Sequence, residues 1–424
     1  MEVQHERCAG LDLAKDSLVA CARIQSRRKV TRHIETFGTS TRELLRLSEW
    51  LQQHRCTHAL MEATGVYWDA VWQILHGAVE TVVANAAHVK AVPGRKTDVC
   101  DSQWLADLLA HGLVRASFVP PPPIQQLRDL TRTRAQRVRE KRRHVQRIHK
   151  TLERANIKLA AVLTDIMGQS GRAILEAMIA GESDPKVLVG LVNYRVHADR
   201  QKILDALQGR LTDHHRFLLR MHLAHVNQLD ADIELLDLKT DQQLEPLRTQ
   251  LQLLKTIPGV DTVAAHVLLA EIGADMSRFP SAGHLVSWAG LCPRNEKSAG
   301  KSFNTRIRNG NPWLKSTLVQ SARAGARTRS SYLRAQYHRL SARRRKNKAT
   351  IAVAAWMLVA TWFMLRDGTP WNDLGVDFFD RRDPARSAPR LTRRLEALGY
   401  QVAITKAPHP AEERPAPTLG SVSQ

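Results

Sequence analysis

Three β-strands are predicted within residues 7–37, RCAGLDLAKDSLVACARIQSRRKVTRHIETF. The segments 7–13 and 18–24 are short apolar runs, and 30–37 alternates in the manner of an edge strand. The sequence that follows predicts, in order, a helix at 41–53, a strand at 58–61, a helix at about 66–76, a strand at 79–84 and a helix at 101–111. This alternation indicates an α/β sheet covered by helices.

The whole chain reads as an α/β domain followed by all-α regions. Four consecutive prolines at 120–123 cannot continue a helix and mark the first boundary. We therefore predict an α/β domain at 1–120, a helical coiled-coil region at 121–250, a helical C-terminal domain at 251–380 and a partly disordered tail at 381–424.

The middle region carries a heptad seam formed by Val138, Val145, Leu152 and Leu159. Residues 124–158 hold twelve Lys and Arg against three acids. This imbalance favours a nucleic-acid-facing helix, with Arg142 and Arg143 as candidate contacts, over a merely soluble arm. A second helical stretch, about 199–250, is more balanced in charge and is expected to return antiparallel to the first.

The composition is strongly basic. The 424 residues include 63 Lys and Arg against 41 Asp and Glu, which gives a net charge of +22 and a pI near 10.4. Such a charge favours a polyanionic partner, because each phosphate contact releases condensed counterions. The five cysteines are scattered and form no C-x-x-C pair, which argues against a disulfide scaffold or zinc ribbon and fits a reducing cytoplasm. The first ten residues carry charges where a signal peptide needs an apolar run.

Carboxylates are excluded from a long C-terminal segment. None lies between Glu296 and Asp367, whereas residues 301–348 contain fourteen Lys and Arg interleaved with aromatic residues. Aromatic rings among cations suit stacking on bases, and a solvated basic face does not explain the missing carboxylates, so we predict nucleic-acid contact. The candidate contacts are Lys297, Lys301, Arg306, Arg308, Arg343, Arg344 and Arg345.

Two further segments allow two interpretations each. Residues 349–365 contain no charge, but the run is shorter than the roughly twenty residues of a spanning helix, so we expect a buried core helix and no membrane. Pro258 and Gly259 end one apolar helix and start another, in the manner of a helix-hairpin-helix. The amides of such a turn can donate hydrogen bonds to a phosphate. Asp261 would repel that phosphate, so the turn is equally well explained as an N-cap and packing unit.

Four carboxylates at element ends form a candidate metal site: Asp12, Glu62, Asp98 and Asp101. Sites in α/β sheets form beyond the strand ends, where Asp12 and Glu62 are expected to meet. Clustered carboxylates repel one another unless cations neutralise them, and Mg²⁺ (or Mn²⁺) is the natural oxygen-liganded choice. Two such ions about 4 Å apart would clamp the oxygens of a phosphodiester. The residues alone leave structural roles open: caps or helix-dipole partners for Asp98 and Asp101, and a surface lysine partner for Glu62.

The strings GLDLAK, MEATGVYW and KTDVCDSQWLADLLAHGL resemble the successive motifs of the DEDD transposases, whose N-terminal domain has a RuvC-like, RNase H-type fold. This insertion-sequence family includes the Piv/MooV invertases and is described as bridge-RNA-guided recombinases. The strings IPGVDTVAAHVLLAEIG, FPSAGHLVSWAGLCPRNEKSAGK and RIRNGNPWLKSTLVQSA resemble the same family's C-terminal transposase domain. The resemblance runs over roughly residues 7–380 and implies that Asp12, Glu62, Asp98 and Asp101 are the metal-binding set.

The segment PRNEKSAGKSFNTRIRNGN contains the serine to which the resemblance assigns catalysis. From its chemistry alone, Ser298 is a loop hydroxyl or a phosphate donor, since a serine is a poor nucleophile without activation. The family's C-terminal domain contributes a serine in this S-x-G-type motif, and Ser298 matches it. The resemblance implies attack on a DNA phosphodiester and a covalent phosphoserine link, with Ser302 as the candidate if the register shifts.

The resemblance also implies partners: donor and target DNA, a structured noncoding guide RNA, and a homodimer or homotetramer whose composite site joins both domains. It implies a bacterial, cytoplasmic and nucleoid-associated protein. One alternative is a two-metal nuclease of the Holliday-junction-resolvase kind, in which water attacks and Ser298 is incidental. Another is a non-enzymatic nucleic-acid-binding or membrane-associated protein, in which the carboxylates are merely structural.

Overall fold

The computed structural model describes residues 3–26, 29–63, 65–86, 89, 101–293, 296–298, 301–304 and 306–405, of which 296–298 and 301–304 are described as backbone alone. The chain divides into two compact units, residues 1–122 and 123–424. The further boundaries at 250 and 380 stay predictions.

The first unit is built on a mixed five-stranded sheet. Its strands are β1 Arg7–Leu13, β2 Ser17–Ser26, β3 Lys29–Gly38, β4 His58–Glu62 and β5 Glu80–Ala84. The order across the sheet is β3-β2-β1-β4-β5. Strands β1, β2 and β3 pair antiparallel, whereas β4 runs parallel to both β1 and β5. The predicted succession of strands is confirmed, and β3 is an edge strand as its alternating pattern indicated.

Helices cover both faces of this sheet. They are α1 Thr41–Gln53, α2 Tyr67–Leu75 and α3 Asp101–Ala110. On one face, Leu11 and Met61 share a core with the buried residues of α1 and α2. On the other face, Cys8 and Leu60 share a core with Leu105 of α3. Because side chains alternate along a strand, each central strand contributes to both cores.

In its described residues, the second unit is helical apart from one hairpin. Its helices are α4 Pro122–Arg154, α5 Leu159–Val162, α6 Gln169–Ala180, α7 Pro185–Gly190, α8 Arg200–Leu207, α9 Asp213–Leu244, α10 Arg248–Lys255, α11 Thr262–Ile272, α12 Ala282–Trp288, α13 Pro312–Gly325, α14 Tyr332–Ser341, α15 Lys346–Asp367, α16 Phe378–Arg382 and α17 Pro384–Glu396. The hairpin consists of β6 Glu296–Ser298 and β7 Lys301–Asn304.

The long helices α4 and α9 run antiparallel, as predicted. Arg134 pairs with Asp237 near one end of the contact, and Lys141 pairs with Asp230 further along. Six of the twelve cations of residues 124–158 make such ion pairs within the chain: Arg128, Arg132, Arg134, Arg137, Lys141 and Lys158. Acids within the chain, most of them on α9 and α11, therefore pair with half of these cations. The expectation that the basic excess faces nucleic acid stays a prediction.

The heptad seam is largely buried within the chain. Ile148, Leu152 and Leu159 lie in a core shared with α6 to α9, and Val145 packs against it. Helix α4 ends at Arg154, so the seam continues into a separate short helix. The chain's own helices cover these apolar side chains, so this part of the seam packs within the chain.

Helix α15 is the central packing element of the C-terminal helices. Among the described helices it alone is long and apolar enough to cross a membrane, and half of its most apolar window is buried inside the protein. Ala349, Val353 and Leu358 are fully buried, and the indole of Trp362 donates to the carbonyl of Phe279 at 3.1 Å.

The Pro258–Gly259 turn is a packing unit. A Cβ at Gly259 would lie 2.4 Å from the Ser321 carbonyl oxygen and from the Gly325 amide of α13, and Gly259 has a φ of +87°. The side chain of Asp261 accepts the Ala264 amide at 2.7 Å and thereby caps α11. These contacts favour the N-cap interpretation over the phosphate-binding hairpin.

The tail predicted to begin at residue 381 contains a helix. Asp383 caps α17, and Pro384 occupies its first turn, where a missing amide costs nothing. Asp380 accepts hydrogen bonds from Ser387 and Arg390. The tail predicted to be partly disordered thus contains an ordered helix at 384–396, because an acid and a proline start it.

Candidate active site

Asp12 and Glu62 lie side by side at the ends of two parallel strands. Leu11 of β1 pairs with Met61 of β4, so the next residues along both strands are Asp12 and Glu62. Since side chains alternate, both carboxylates project on the face that carries Cys8 and Leu60, which is the face covered by α3. The predicted meeting of these two residues is thus a consequence of strand register.

Helix α3 brings a third carboxylate to the same edge of the sheet. Asp101 is its first residue, and α3 crosses β1 at Gly10. A Cβ at Gly10 would lie 2.0 Å from the Ser102 carbonyl oxygen and 2.5 Å from the Ala106 amide. Only a residue without a side chain permits this approach, which holds Asp101 over the strand end beside Asp12.

The three carboxylates interact electrostatically. Burial raises the pKa of Asp12, and the negative charges of Asp101 and Glu62 raise it further. Asp12 and Asp101 remain solvent-exposed, and Glu62 is half-buried, so the group is open to ligands. Like charges gathered at an accessible edge attract cations.

The donor set fits a hard divalent cation. Carboxylate oxygens are the ligands that Mg²⁺ and Mn²⁺ prefer, and three of the four expected ligands converge. Within the described part of the chain, no group of three or more His, Cys, Asp or Glu side chains is arranged to hold a metal ion as it stands. Asp98, the fourth expected ligand, lies outside the described residues.

Replacing Gly10 by Ala is expected to destabilise the protein by about 1–3 kcal/mol, because the new methyl group collides with the backbone of α3. Urea denaturation of the variant measures the change. Gly283→Ala is the matched control, since a Cβ there meets nothing closer than 3.5 Å. Equal stability of the Gly10 and Gly283 variants would contradict the close crossing of α3 and β1.

The hairpin that carries Ser298 is held at its base. Ser298 is the last residue of β6 and pairs with Lys301 of β7. Below the strands, the Arg308 amide donates to the Cys292 carbonyl at 3.2 Å. A Cβ at Gly310 would lie 2.4 Å from the Gly290 amide, so two glycines cross where the hairpin meets the helices.

Several predicted side chains fall outside the description. The structure gives no side-chain placement for Lys297, Ser298, Lys301 and Ser302. Their assignment to catalysis or nucleic-acid contact therefore stays a prediction. The remaining cations are exposed at three separate places: Arg142 and Arg143 on α4, Arg306 and Arg308 below the hairpin, and Arg343, Arg344 and Arg345 before α15.

A buried carboxylate that the sequence analysis missed links α4 to the segment following the hairpin. Glu271 is fully buried in α11 and accepts two hydrogen bonds from Arg132, each of 2.8 Å. It also accepts from the side chain of Asn311, whose own oxygen caps α13 by accepting the Trp313 and Leu314 amides. The sequence signal that could have found Glu271 is a single acid in the apolar run VAAHVLLAEIG, because a buried acid requires a partner.

Arginine stacking reinforces the same junction. The guanidinium of Arg139 on α4 lies 4.7 Å from the ring centroid of Trp313. The Arg128 side chain donates to the Ala270 carbonyl at 3.0 Å, and burial lowers the pKa of Arg128 to about 10. Part of the basic excess of α4 thus positions α11 and α13.

Two family models match the chain. A DEDD model described as a transposase, of the IS110 type, matches residues 9–157, and a model described as a transposase of the IS116/IS110/IS902 family matches residues 251–338. The first range contains all four candidate carboxylates, and the second contains Ser298. Together they cover more than half of the sequence.

Individual relatives agree with these matches. The pilin gene-inverting proteins of Moraxella bovis and Moraxella lacunata are each 26% identical over 377 residues, which is 86% of this chain and 97% of each relative. An uncharacterised 43.6 kDa protein of insertion element IS110 from Streptomyces coelicolor is 36% identical over 135 residues, 31% of each chain.

Proposed function

We propose that this chain, which belongs to the IS116/IS110/IS902 family of transposases, cuts and rejoins DNA strands through a covalent link to Ser298. The convergence of Asp12, Glu62 and Asp101 at one edge of the sheet supports the cutting of DNA strands. The covalent link is supported by the family match to residues 251–338, which contain Ser298. The similarity to proteins named for inverting a pilin gene supports a reaction that conserves and rearranges DNA.

The proposed fold of the first unit is RuvC-like. Three antiparallel strands followed by two parallel ones, with helices on both faces, support it. The carboxylates stand at the ends of adjacent central strands, where an α/β sheet offers its binding edge.

The proposed reaction needs no external energy source. The Ser298 oxygen attacks a backbone phosphorus, the bond from phosphorus to the strand's own oxygen breaks, and that oxygen leaves with a proton. The serine phosphodiester retains the energy of the broken bond. A hydroxyl of another strand then attacks the same phosphorus and releases the serine, so strands are exchanged without ATP.

The carboxylates and cations have distinct proposed roles. Asp12, Glu62, Asp98 and Asp101 would hold Mg²⁺ or Mn²⁺, which supplies Lewis-acid stabilisation of the phosphoryl oxygens and the leaving oxygen. Lys297, Lys301, Arg306 and Arg308 neutralise the charge that builds up on phosphate near the hairpin. Arg142, Arg143 and Arg343–Arg345 bind nucleic-acid backbone elsewhere.

The proposed assembly includes a structured noncoding guide RNA and a homodimer or homotetramer in the bacterial cytoplasm, associated with the nucleoid. Strand exchange requires at least two cuts in concert, which favours more than one copy. A guide RNA would leave the protein with mainly backbone contacts, and a charge surplus of +22 is consistent with such contacts.

A second candidate is a two-metal nuclease in which water attacks the phosphodiester. The carboxylate group in the first unit favours it, because that group alone offers the donors such a reaction uses. The two candidates differ in whether the protein becomes joined to DNA.

A denaturing gel tests the proposed function. The chain is expressed with the element's flanking noncoding DNA in the presence of Mg²⁺, and a covalent protein–DNA adduct is expected. Ser298→Ala should abolish the adduct, whereas the matched Ser302→Ala should keep it. If the adduct disappears only in Ser302→Ala, the nucleophile is Ser302 and not Ser298. Free nicks without any adduct would establish that water attacks the phosphodiester.

A further inference from the structure

A pocket lies among the C-terminal helices, away from the serine hairpin in sequence. Helices α13, α14 and α15 line it, and its volume is about 510 Å³. This volume falls within the range of pockets that bind small molecules. The lining is cationic, with Arg323 and Arg327 from α13 and the turn after it, Arg334 from α14 and Lys346 from α15.

These cations are not used to hold the fold together by ion pairs. No carboxylate among the described residues forms an ion pair with Arg323, Arg327, Arg334 or Lys346, in contrast to the paired arginines of α4. The segment from 297 to 366 contains no acid that could pair with them locally. Four cations that converge without counter-charges repel one another, and an anionic ligand relieves that repulsion.

The beginning of α15 adds to the positive potential. Lys346, Asn347 and Thr350 of its first turns line the pocket. Arg345 stands at the N-cap, and its side chain accepts no hydrogen bond from the first amides. Uncapped amides at a helix start favour an anion, and phosphate is the anion that both they and arginine bind well.

The pocket also has a surface that suits a base. Tyr337 lines it, and the ring of His338 lies 5.6 Å from that of Tyr337. Single-stranded nucleic acids are bound where an aromatic ring stacks on a base while cations hold the backbone. The bases of an intact duplex are stacked inside it and do not reach a ring within a pocket.

We infer that this pocket binds one unpaired nucleotide of a nucleic acid strand, with its phosphate among Arg323, Arg327, Arg334 and Lys346 and its base against Tyr337. The inference rests on the proposed function, since strand exchange and a guide RNA both present unpaired nucleotides. DNA and RNA both offer a phosphate and a base, so the proposed ligand is an unpaired nucleotide of either polymer.

Fluorescence anisotropy on the full chain tests the inference. The probes are a labelled twelve-nucleotide DNA, the RNA of the same sequence and the matched DNA duplex. Tyr337→Leu is expected to weaken binding of single strands about 5- to 100-fold, the contribution of one stacked base, and to leave duplex binding unchanged. Tyr337→Phe keeps the ring and should bind as the wild type does.

The cation arm uses the double variant Arg323→Gln/Arg327→Gln. It should weaken single-strand binding and reduce the salt slope by about 0.7 for each phosphate that the variant no longer neutralises. The control is Arg200→Gln/Arg210→Gln, which removes the same charge from exposed positions outside the pocket. Equal weakening in the two double variants would overturn the inference and leave only a general charge effect.

The outcomes separate the pocket from the serine chemistry. Single-strand binding that depends on Tyr337, without a covalent adduct in the wild type, would support the pocket and contradict the proposed function. An adduct together with equal binding by Tyr337→Leu, Tyr337→Phe and wild type would do the reverse. A preference for RNA or for DNA between the two single strands identifies which one occupies the pocket.

Discussion

Replacing Asp12 by Asn is expected to reduce DNA strand breakage at least about 100- to 1000-fold while DNA binding persists. The amide keeps the shape of the side chain but removes the charge that a divalent cation requires, and electrostatic stabilisation of a developing charge contributes this much to rate. Glu62→Gln should act alike, because Glu62 stands beside Asp12 on the neighbouring strand. Gel assays of cutting and anisotropy assays of binding measure the two properties separately.

The matched control for this experiment is Asp16→Asn, an exposed aspartate in the turn between β1 and β2. It should cut as the wild type does. If Asp12→Asn and Glu62→Gln both abolish binding, these residues stabilise the fold, and the metal-site proposal fails. Unchanged cutting in both variants would also contradict it, since the carboxylates would then be structural.

Replacing Glu271 by Ala is expected to lower the free energy of unfolding by about 3–5 kcal/mol. The substitution removes the carboxylate that pairs with Arg132 and with Arg128, whose side chain is only 13% exposed, and breaking a buried ion pair is costly. Asn311 is deprived of the same partner, so the start of α13 should loosen as well. Urea denaturation measures the destabilisation, and hydrogen exchange of α13 shows whether it is local.

Glu245→Ala provides the comparison. Glu245 pairs with Arg248 at the surface, with both side chains more than half exposed, so its removal should cost less than about 1 kcal/mol. A similar small effect at Glu271 would mean that water replaces the carboxylate, and that the junction of α4, α11 and α13 is looser than its contacts indicate.

The strands and helices of the first unit were predictable because their signals are local. The apolar run RCAGLDL and the leucine periodicity of 41–53 each depend only on residues that are close together in the sequence. Predicted and observed boundaries agree within about two residues for β1, α1 and β4. The antiparallel return of α9 along α4 was one arrangement that the sequence allowed, and the contacts of Arg134 with Asp237 and of Lys141 with Asp230 establish it.

The candidate site was predictable in its residues and not in its construction. Carboxylates at element ends pointed to Asp12, Glu62, Asp98 and Asp101, and a resemblance assigned catalysis to Ser298. Nothing local indicates that Gly10 must lack a side chain so that α3 can carry Asp101 across β1. Glu271 likewise appeared as one acid in an apolar helix until its partners, 139 to 143 residues away, were placed beside it.

The sequence by itself determined the order of the elements, the basic character of the chain and the identity of the carboxylates, since these follow from periodicity, composition and position. Only the tertiary structure decided which cations are available to a ligand. Arg132 and Arg134 are neutralised by acids more than a hundred residues away, whereas Arg323 and Arg334 line a pocket with no described counter-charge. Charge pairing depends on distances in space, and no local pattern records them.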